Sequence, residues 1–154
     1  MRIGDICTIQ PVSCSRDETV QGAALLMRKH HVGDLVVVDQ PGGELAGPPY
    51  QPVGIVTDRD IVVSVIALAL DPGSLLVGDI MSDDLLVAGE DDDVYETIEK
   101  MRFRGIRRVP VVAGTGSLTG IVSVDDLLEF LADEMGELSR IAMHQQAHEK
   151  LARH

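Results

Sequence analysis

Tryptophan is missing from this 154-residue sequence, and phenylalanine and tyrosine occur only twice each. A hydrophobic core must therefore be assembled from Val, Ile, Leu, Ala and Met, a composition that suits an α/β fold. Positive charge is also scarce: 13 Lys and Arg stand against 25 Asp and Glu, for a net charge of −12 and a pI near 4.6. Nucleic acids and anionic membranes are recognised through a basic footprint, so neither is an expected partner. Cysteine occurs twice, as Cys7 and Cys14, which is too few for a disulfide scaffold and fits no zinc spacing. Small, reduced, partly buried thiols are expected, with a redox role for the pair as the alternative. Long apolar runs are lacking too. Ile61–Leu70 falls well short of the ~20 residues that cross a bilayer, and Met1–Gln10 has no signal-peptide pattern. The expected compartment is the cytoplasm.

What is present is a phrase stated twice. Gly54-Ile55-Val56-Thr57-Asp58-Arg59-Asp60 is echoed by Gly120-Ile121-Val122-Ser123-Val124-Asp125-Asp126. Upstream, Gly4-Asp5-Ile6 matches Gly78-Asp79-Ile80, Val20, Met27 and Arg28 match Val94, Met101 and Arg102, and Val37-Val38 matches Val111-Val112. About seventy residues separate the copies, so each half is one supersecondary unit. The offset shortens only across the connector Gln40–Gln51, rich in Gly and Pro, which is longer than its counterpart Gly114–Ser117. Insertions belong in surface loops, which supports the alignment.

Each unit reads as short strand, helix, strand, strand, helix. In the first, Ser15-Arg16-Asp17-Glu18 resembles a capping box, and Val20, Ala23, Ala24, Met27 and His31 share a helical face. His30-His31 closes that helix, where a helix-end role is preferred to contact with a ligand. Strands are expected at Leu35–Val38 and Pro52–Val56, then a helix from about Asp58 to Leu70, stopped by Asp71-Pro72-Gly73. The second unit repeats this with a helix carrying Val94, Ile98 and Met101, strands at Val109–Val112 and Leu118–Val122, and a helix from Ser123. The expected organisation is residues 1–73 as the first repeat, 74–135 as the second and 136–154 as a helical tail, the two repeats forming one module. In the last helix Val124, Leu128, Leu131, Met135, Leu138 and Ala142 form a heptad stripe. Packing against a second copy of the chain is the preferred use of that stripe, with packing on its own body as the alternative.

The repeated phrase has two readings. Thr57 with Asp60, and Ser123 with Asp126, are each spaced as a capping box. Alternatively, a glycine lets something approach the backbone closely, a hydroxyl at a helix start meets an anion, and a carboxylate one turn on accepts from a sugar diol. Hydroxyl for phosphate and carboxylate for ribose describe a nucleotide site. The sequence leaves both open.

Taken together, these residues resemble a tandem pair of cystathionine-β-synthase (CBS) domains, the Bateman module. The resemblance rests on Gly54–Asp60, Gly120–Asp126, Gly78-Asp79-Ile80-Met81 and Gly105-Ile106-Arg107-Arg108-Val109-Pro110-Val111-Val112, and spans Gly4 to about Ala132. It implies two β-α-β-β-α repeats packed with pseudo-twofold symmetry, plus an extended C-terminal helix. It also implies two clefts that take an adenosine-containing ligand: AMP, ADP, ATP, NAD or S-adenosylmethionine. By resemblance, Thr57 and Ser123 contact phosphate, Asp60 and Asp126 contact ribose, and the base lies near Val12, Cys14, Leu86 and Ala88. Homodimerisation and regulation of a protein effector are implied as well, with the ligand acting as a signal rather than as a required cofactor.

Where the second copy has Arg107-Arg108, the first has Gly33-Asp34. Guanidinium groups suit forked phosphate contacts, so the second cleft looks better equipped, unless the arginines reach across to the other cleft. Arg59 stands ready to supply the charge missing at Gly33-Asp34, and two unequal sites are expected. No nucleophile with a base partner emerges, so no catalytic residue and no enzyme activity are expected. Glu90-Asp91-Asp92-Asp93 reads as a helix lead-in, and His144 with His148 as tail residues, so no metal is expected. The alternatives to ligand sensing are a ligand-free scaffold or dimerisation protein and, less favoured, a thiol redox sensor.

Overall fold

Runs of β-branched residues set the strands, and the helices turn Val20, Ala23 and Met27, and Val94, Thr97 and Met101, inward. The computed structural model describes residues 1–39 and 50–153; nearly all of the connector anticipated at 40–51 lies outside the described residues. A 3-10 turn at Ile3–Asp5 leads to β1 (Thr8–Ile9), β2 (Ser13–Cys14), α1 (Val20–His30), β3 (Asp34–Asp39), β4 (Gln51–Thr57) and α2 (Asp58–Ile61), which continues as a π-helical turn over Val62–Ile66. The second half follows with α3 (Val77–Ile80), β5 (Ala88–Gly89), α4 (Val94–Arg104), β6 (Arg108–Val112), β7 (Leu118–Ser123) and α5 (Val124–Ala152).

The strands form two sheets, ordered β2-β3-β4 and β1-β7-β6-β5. In the antiparallel pairs Asp34 lies opposite Thr57, and Arg108 lies opposite Ser123. Each pair shifts register at the same place, between Val37 and Val38 and between Val111 and Val112. One core gathers Ala23, Met27, Leu35, Val37 and Val56; the other gathers Val94, Met101, Val109, Val111 and Val122.

The two halves are interleaved. Ile3 is fully buried in the second repeat's core, and Val77 is fully buried in the first repeat's core. The backbone N–H of Gly4 donates to Glu90, and that of Gly78 donates to Arg16, both at 2.9 Å. β1 pairs with β7 through Thr8–Ile121, and the matching bridge joins Ser82 to Ile55. Each repeat thus lends its leading segment to the other about a pseudo-twofold axis. The glycines follow from this exchange. A Cβ on Gly54 would meet the Ser82 carbonyl at 2.7 Å, and one on Gly120 the Thr8 carbonyl at 2.9 Å. The close approach expected at the repeated glycine is real, and what approaches is the other repeat's chain.

Several local expectations shift. Helix α1 is capped by Thr19, whose hydroxyl accepts from Gly22 N–H, while Ser15 accepts from Asp17 N–H in a separate turn. Ala24 is only half-buried and His31 is exposed, in the left-handed conformation that ends the helix. The helix expected to run to Leu70 is four α-helical residues followed by a π turn, and it stops short of Leu70 where Ala69 adopts the left-handed conformation at φ 54. The stripe on α5 divides: Val124 packs against the second repeat's core beside Leu127 and Phe130, and Leu131 is half-buried, whereas Leu128, Met135 and Leu138 are exposed. Every described residue from Ala132 onward is exposed.

Candidate functional site

Both copies of the repeated phrase close as reciprocal capping boxes where a strand turns into a helix. At the end of β4 the Thr57 hydroxyl accepts from Asp60 N–H at 3.2 Å, and the Asp60 carboxylate accepts from Thr57 N–H at 2.9 Å. At the end of β7 the Asp126 carboxylate accepts from Ser123 N–H at 2.7 Å, and the Ser123 hydroxyl accepts from Asp126 N–H at 3.2 Å. The copies differ in one proton. The Ser123 hydroxyl also donates to Asp126 at 2.7 Å, whereas no hydrogen bond donated by the Thr57 hydroxyl is formed among the described residues. In both boxes a single carboxylate oxygen makes every bond, so the second oxygen of each Asp is left for another donor. Capping and diol recognition are therefore compatible uses of the same side chain.

Thr57 opens onto a cavity of about 170 Å³ that both repeats line. Ile55 and Thr57 come from the first, and Leu86, Ile106, Arg107 and Arg108 from the second. The arginines therefore reach across to the cleft of the first repeat's hydroxyl. By the same pseudo-symmetry, the residues in their place on the Ser123 side are Gly33 and Asp34. Leu86 is half-buried at the edge of the cavity, where a flat apolar surface could rest.

The charges around this cavity are mostly committed. Arg108 forms an ion pair with Asp34, joining the start of β6 to the start of β3. Burial holds the Asp34 carboxyl above the ordinary carboxylate range, against the lowering pull of Arg108; Asp58 and Asp126 push it the same way as burial. Arg104 pairs with Asp84 at 2.7 Å, and Arg107 sits 3.9 Å from Asp125 in an exposed contact of little energetic weight. Among the described residues Arg59 makes no ion pair. Sequence reasoning missed the Arg108–Asp34 partnership, although the unlike residues at matched positions were its signal.

Other expected positions are placed differently. Val12 and Cys14 pack into the first repeat's core, and Ala88 is buried in the second. Cys14 and Ala88 turn their side chains into the cores, while Val12 is half-buried. Cys7 packs against the second repeat's core and Cys14 lies in the first, so the two thiols do not share a site. Burial pushes the Cys14 thiol up to about 11 and also raises that of Cys7, which keeps both protonated and poorly nucleophilic. In the acidic run, Asp93 caps α4 through Tyr95 and Glu96 N–H, while Asp91 pairs with Arg2.

Known proteins carry the same architecture. The family model described as "CBS domain" matches residues 3–66 and again 77–133. An uncharacterized protein of Methanopyrus kandleri is 33% identical over 127 residues, covering 82% of this chain; this chain spans 61% of that relative's length. A CBS domain protein from Pyrobaculum aerophilum complexed with AMP superposes with a TM-score of 0.71 at 30% identity, covering 82% of this chain and 90% of that one. A CBS domain pair solved with 5-methylthioadenosine and S-adenosyl-L-methionine gives a TM-score of 0.71 at 28% identity, covering 87% and 98%. With two matched repeats, exchanged leading segments and a shared cleft beside Thr57, the chain belongs to the CBS domain family as a tandem pair.

Proposed function

We propose that this CBS pair is a regulatory module that binds an adenosine-containing ligand in its inter-repeat clefts and signals to a protein effector by a change of conformation. The observation that carries this reading is the cavity that brings Thr57 of one repeat together with Arg107 and Arg108 of the other. Thr57 donates its free hydroxyl proton to a phosphate, with Arg107 and Arg59 supplying charge. The unused oxygen of Asp60 accepts from the ribose, and Leu86 carries the base, beside the backbone near Ala88. Ser123, Asp126 and the backbone of Val12–Cys14 form the second cleft. There Asp34 replaces an arginine and the serine proton is already engaged, so that site is weaker for anions. AMP, ADP, ATP, NAD and S-adenosylmethionine are the candidate ligands. The module works as a cytoplasmic homodimer without catalysis of its own. Its dimer surface is the exposed apolar stripe of α5, which includes Leu128, Met135 and Leu138.

Calorimetric titration tests the reading, with each candidate ligand against wild type, Asp60→Ala and Asp126→Ala. Two unequal affinities are expected, the tighter one weakened about tenfold or more in Asp60→Ala. Affinity rather than melting temperature is the proper readout, because either substitution also removes a cap worth about 1 kcal/mol. Two equal, independent affinities would contradict the proposed asymmetry. A second reading, a ligand-free scaffold, is favoured by the engagement of Arg108 with Asp34. Absence of binding by every candidate to nucleotide-free protein would establish it.

A further inference from the structure

We propose that Asp34 sets the ligand specificity of the Thr57 cleft by charge. It holds Arg108 across the repeat boundary, so an anionic nucleotide draws Arg108 away, whereas a neutral or cationic adenosyl compound leaves the contact in place. The inference rests on the ligand-binding reading above and adds to it the residue that discriminates among adenosyl ligands.

Three observations support it. Arg108 belongs simultaneously to the wall of the cavity beside Thr57 and to the ion pair with Asp34. The pair is partly withdrawn from water, with side-chain exposures of 34% for Arg108 and 19% for Asp34. The groups facing Asp34 from the packed elements are Arg108 at the start of β6, Asp58 at the start of α2 and Asp126 in the first turn of α5. Arg108 is the cation in that set, and the other two groups carry the same sign as Asp34.

A phosphate in the cavity competes with Asp34 for one guanidinium. If the phosphate wins, Asp34 is left half-buried beside two carboxylates, a costly arrangement unless it takes up a proton or turns toward water. Either response leaves the start of β3 in one repeat without its ion pair to the start of β6 in the other. A ligand whose 5′ end is uncharged or positive has no claim on Arg108 and meets no such cost. The pair therefore lowers affinity for anions selectively, and the energy it subtracts is spent on the joint between the repeats. The linkage has a definite sign. Losing Arg108 raises the affinity of Asp34 for protons, so binding an anion draws a proton onto the protein.

The test is a comparison of wild type with Asp34→Asn, full-length, titrated calorimetrically with AMP and with 5-methylthioadenosine in two buffers of different ionisation enthalpy. The asparagine keeps the shape and frees Arg108. The expected result is about tenfold tighter AMP binding in Asp34→Asn, with 5-methylthioadenosine changed by less than about twofold. Proton uptake on AMP binding should be larger in wild type, since titration of the phosphate itself is common to both proteins. Equal changes for both ligands, or no change for AMP, would overturn the assignment while leaving the ligand-binding reading intact. If neither ligand binds either protein, the assignment falls, and the ligand-binding reading falls with it only if ADP, ATP, NAD and S-adenosylmethionine fail to bind as well.

Discussion

His31 and Gly105 occupy the same place in the two repeats, the residue that ends α1 and the residue that ends α4. Both adopt the left-handed conformation, at φ 54 and φ 64. Only glycine does so without a Cβ penalty, so the first repeat carries strain that the second avoids. Because the His31 side chain is exposed, replacing it should disturb little else. His31→Gly is expected to stabilise the protein by roughly 0.5–1 kcal/mol in urea unfolding, since relief of strain exceeds the entropy glycine adds to the unfolded chain. A loss of stability would mean that the imidazole makes a contact worth more than that strain. At this scale the sequence was informative where partners are neighbours along the chain. The spacing of Thr57 with Asp60 and of Ser123 with Asp126 gave the reciprocal caps directly. The pairing of Arg108 with Asp34 was hidden, because it depends on how two distant halves face one another. So was the inward turn of Cys14 and Ala88, since strands of two residues show no alternation to read.

Among the elements, α5 departs furthest from its counterpart. Its first two turns are anchored through Ser123, Asp126 and Leu127, and the remainder projects with all its side chains exposed. Most helical stability in proteins comes from packing of an amphipathic face, and the apolar stripe gives this projecting segment a means of gaining it from a second copy. Met135→Glu is expected to lower the oligomeric mass seen by light scattering while leaving the unfolding midpoint of the body within about 0.5 kcal/mol of wild type, as for other exposed sites. An unchanged mass would exclude the stripe as the dimer surface. The heptad spacing was visible in the sequence, and so were the four long strands to within a residue or two. The π turn after α2 was not, because a run such as Ile61–Ile66 has apolar residues at every helical offset and carries no sharp period.

For the whole molecule, the exchange of leading segments makes two repeats into one folding unit. Ile3 completes a core built from Val94, Val109 and Val122, and Val77 completes one built from Leu35 and Val56. Ile3→Ala should cost about 2–5 kcal/mol through the cavity it leaves. The loss should appear as a single transition in which probes in both repeats move together. Two separate transitions would show that the halves are stable alone.

The same exchange bears on how the chain is made. On a ribosome the first repeat's core lacks its plug until Val77 has emerged, and Ile3, made well ahead of the core it enters, has no place to pack until β7 has been synthesised. The first half cannot close on its own residues, and the second closes only by recruiting a segment made well before it. The nascent first repeat waits with an open apolar groove, and the segment around Ile3 waits until the second repeat has been made. Such long-range closure slows folding and prolongs exposure to aggregation, so the sequence positions most sensitive to translation speed should be those between the two halves, near Leu70–Val77.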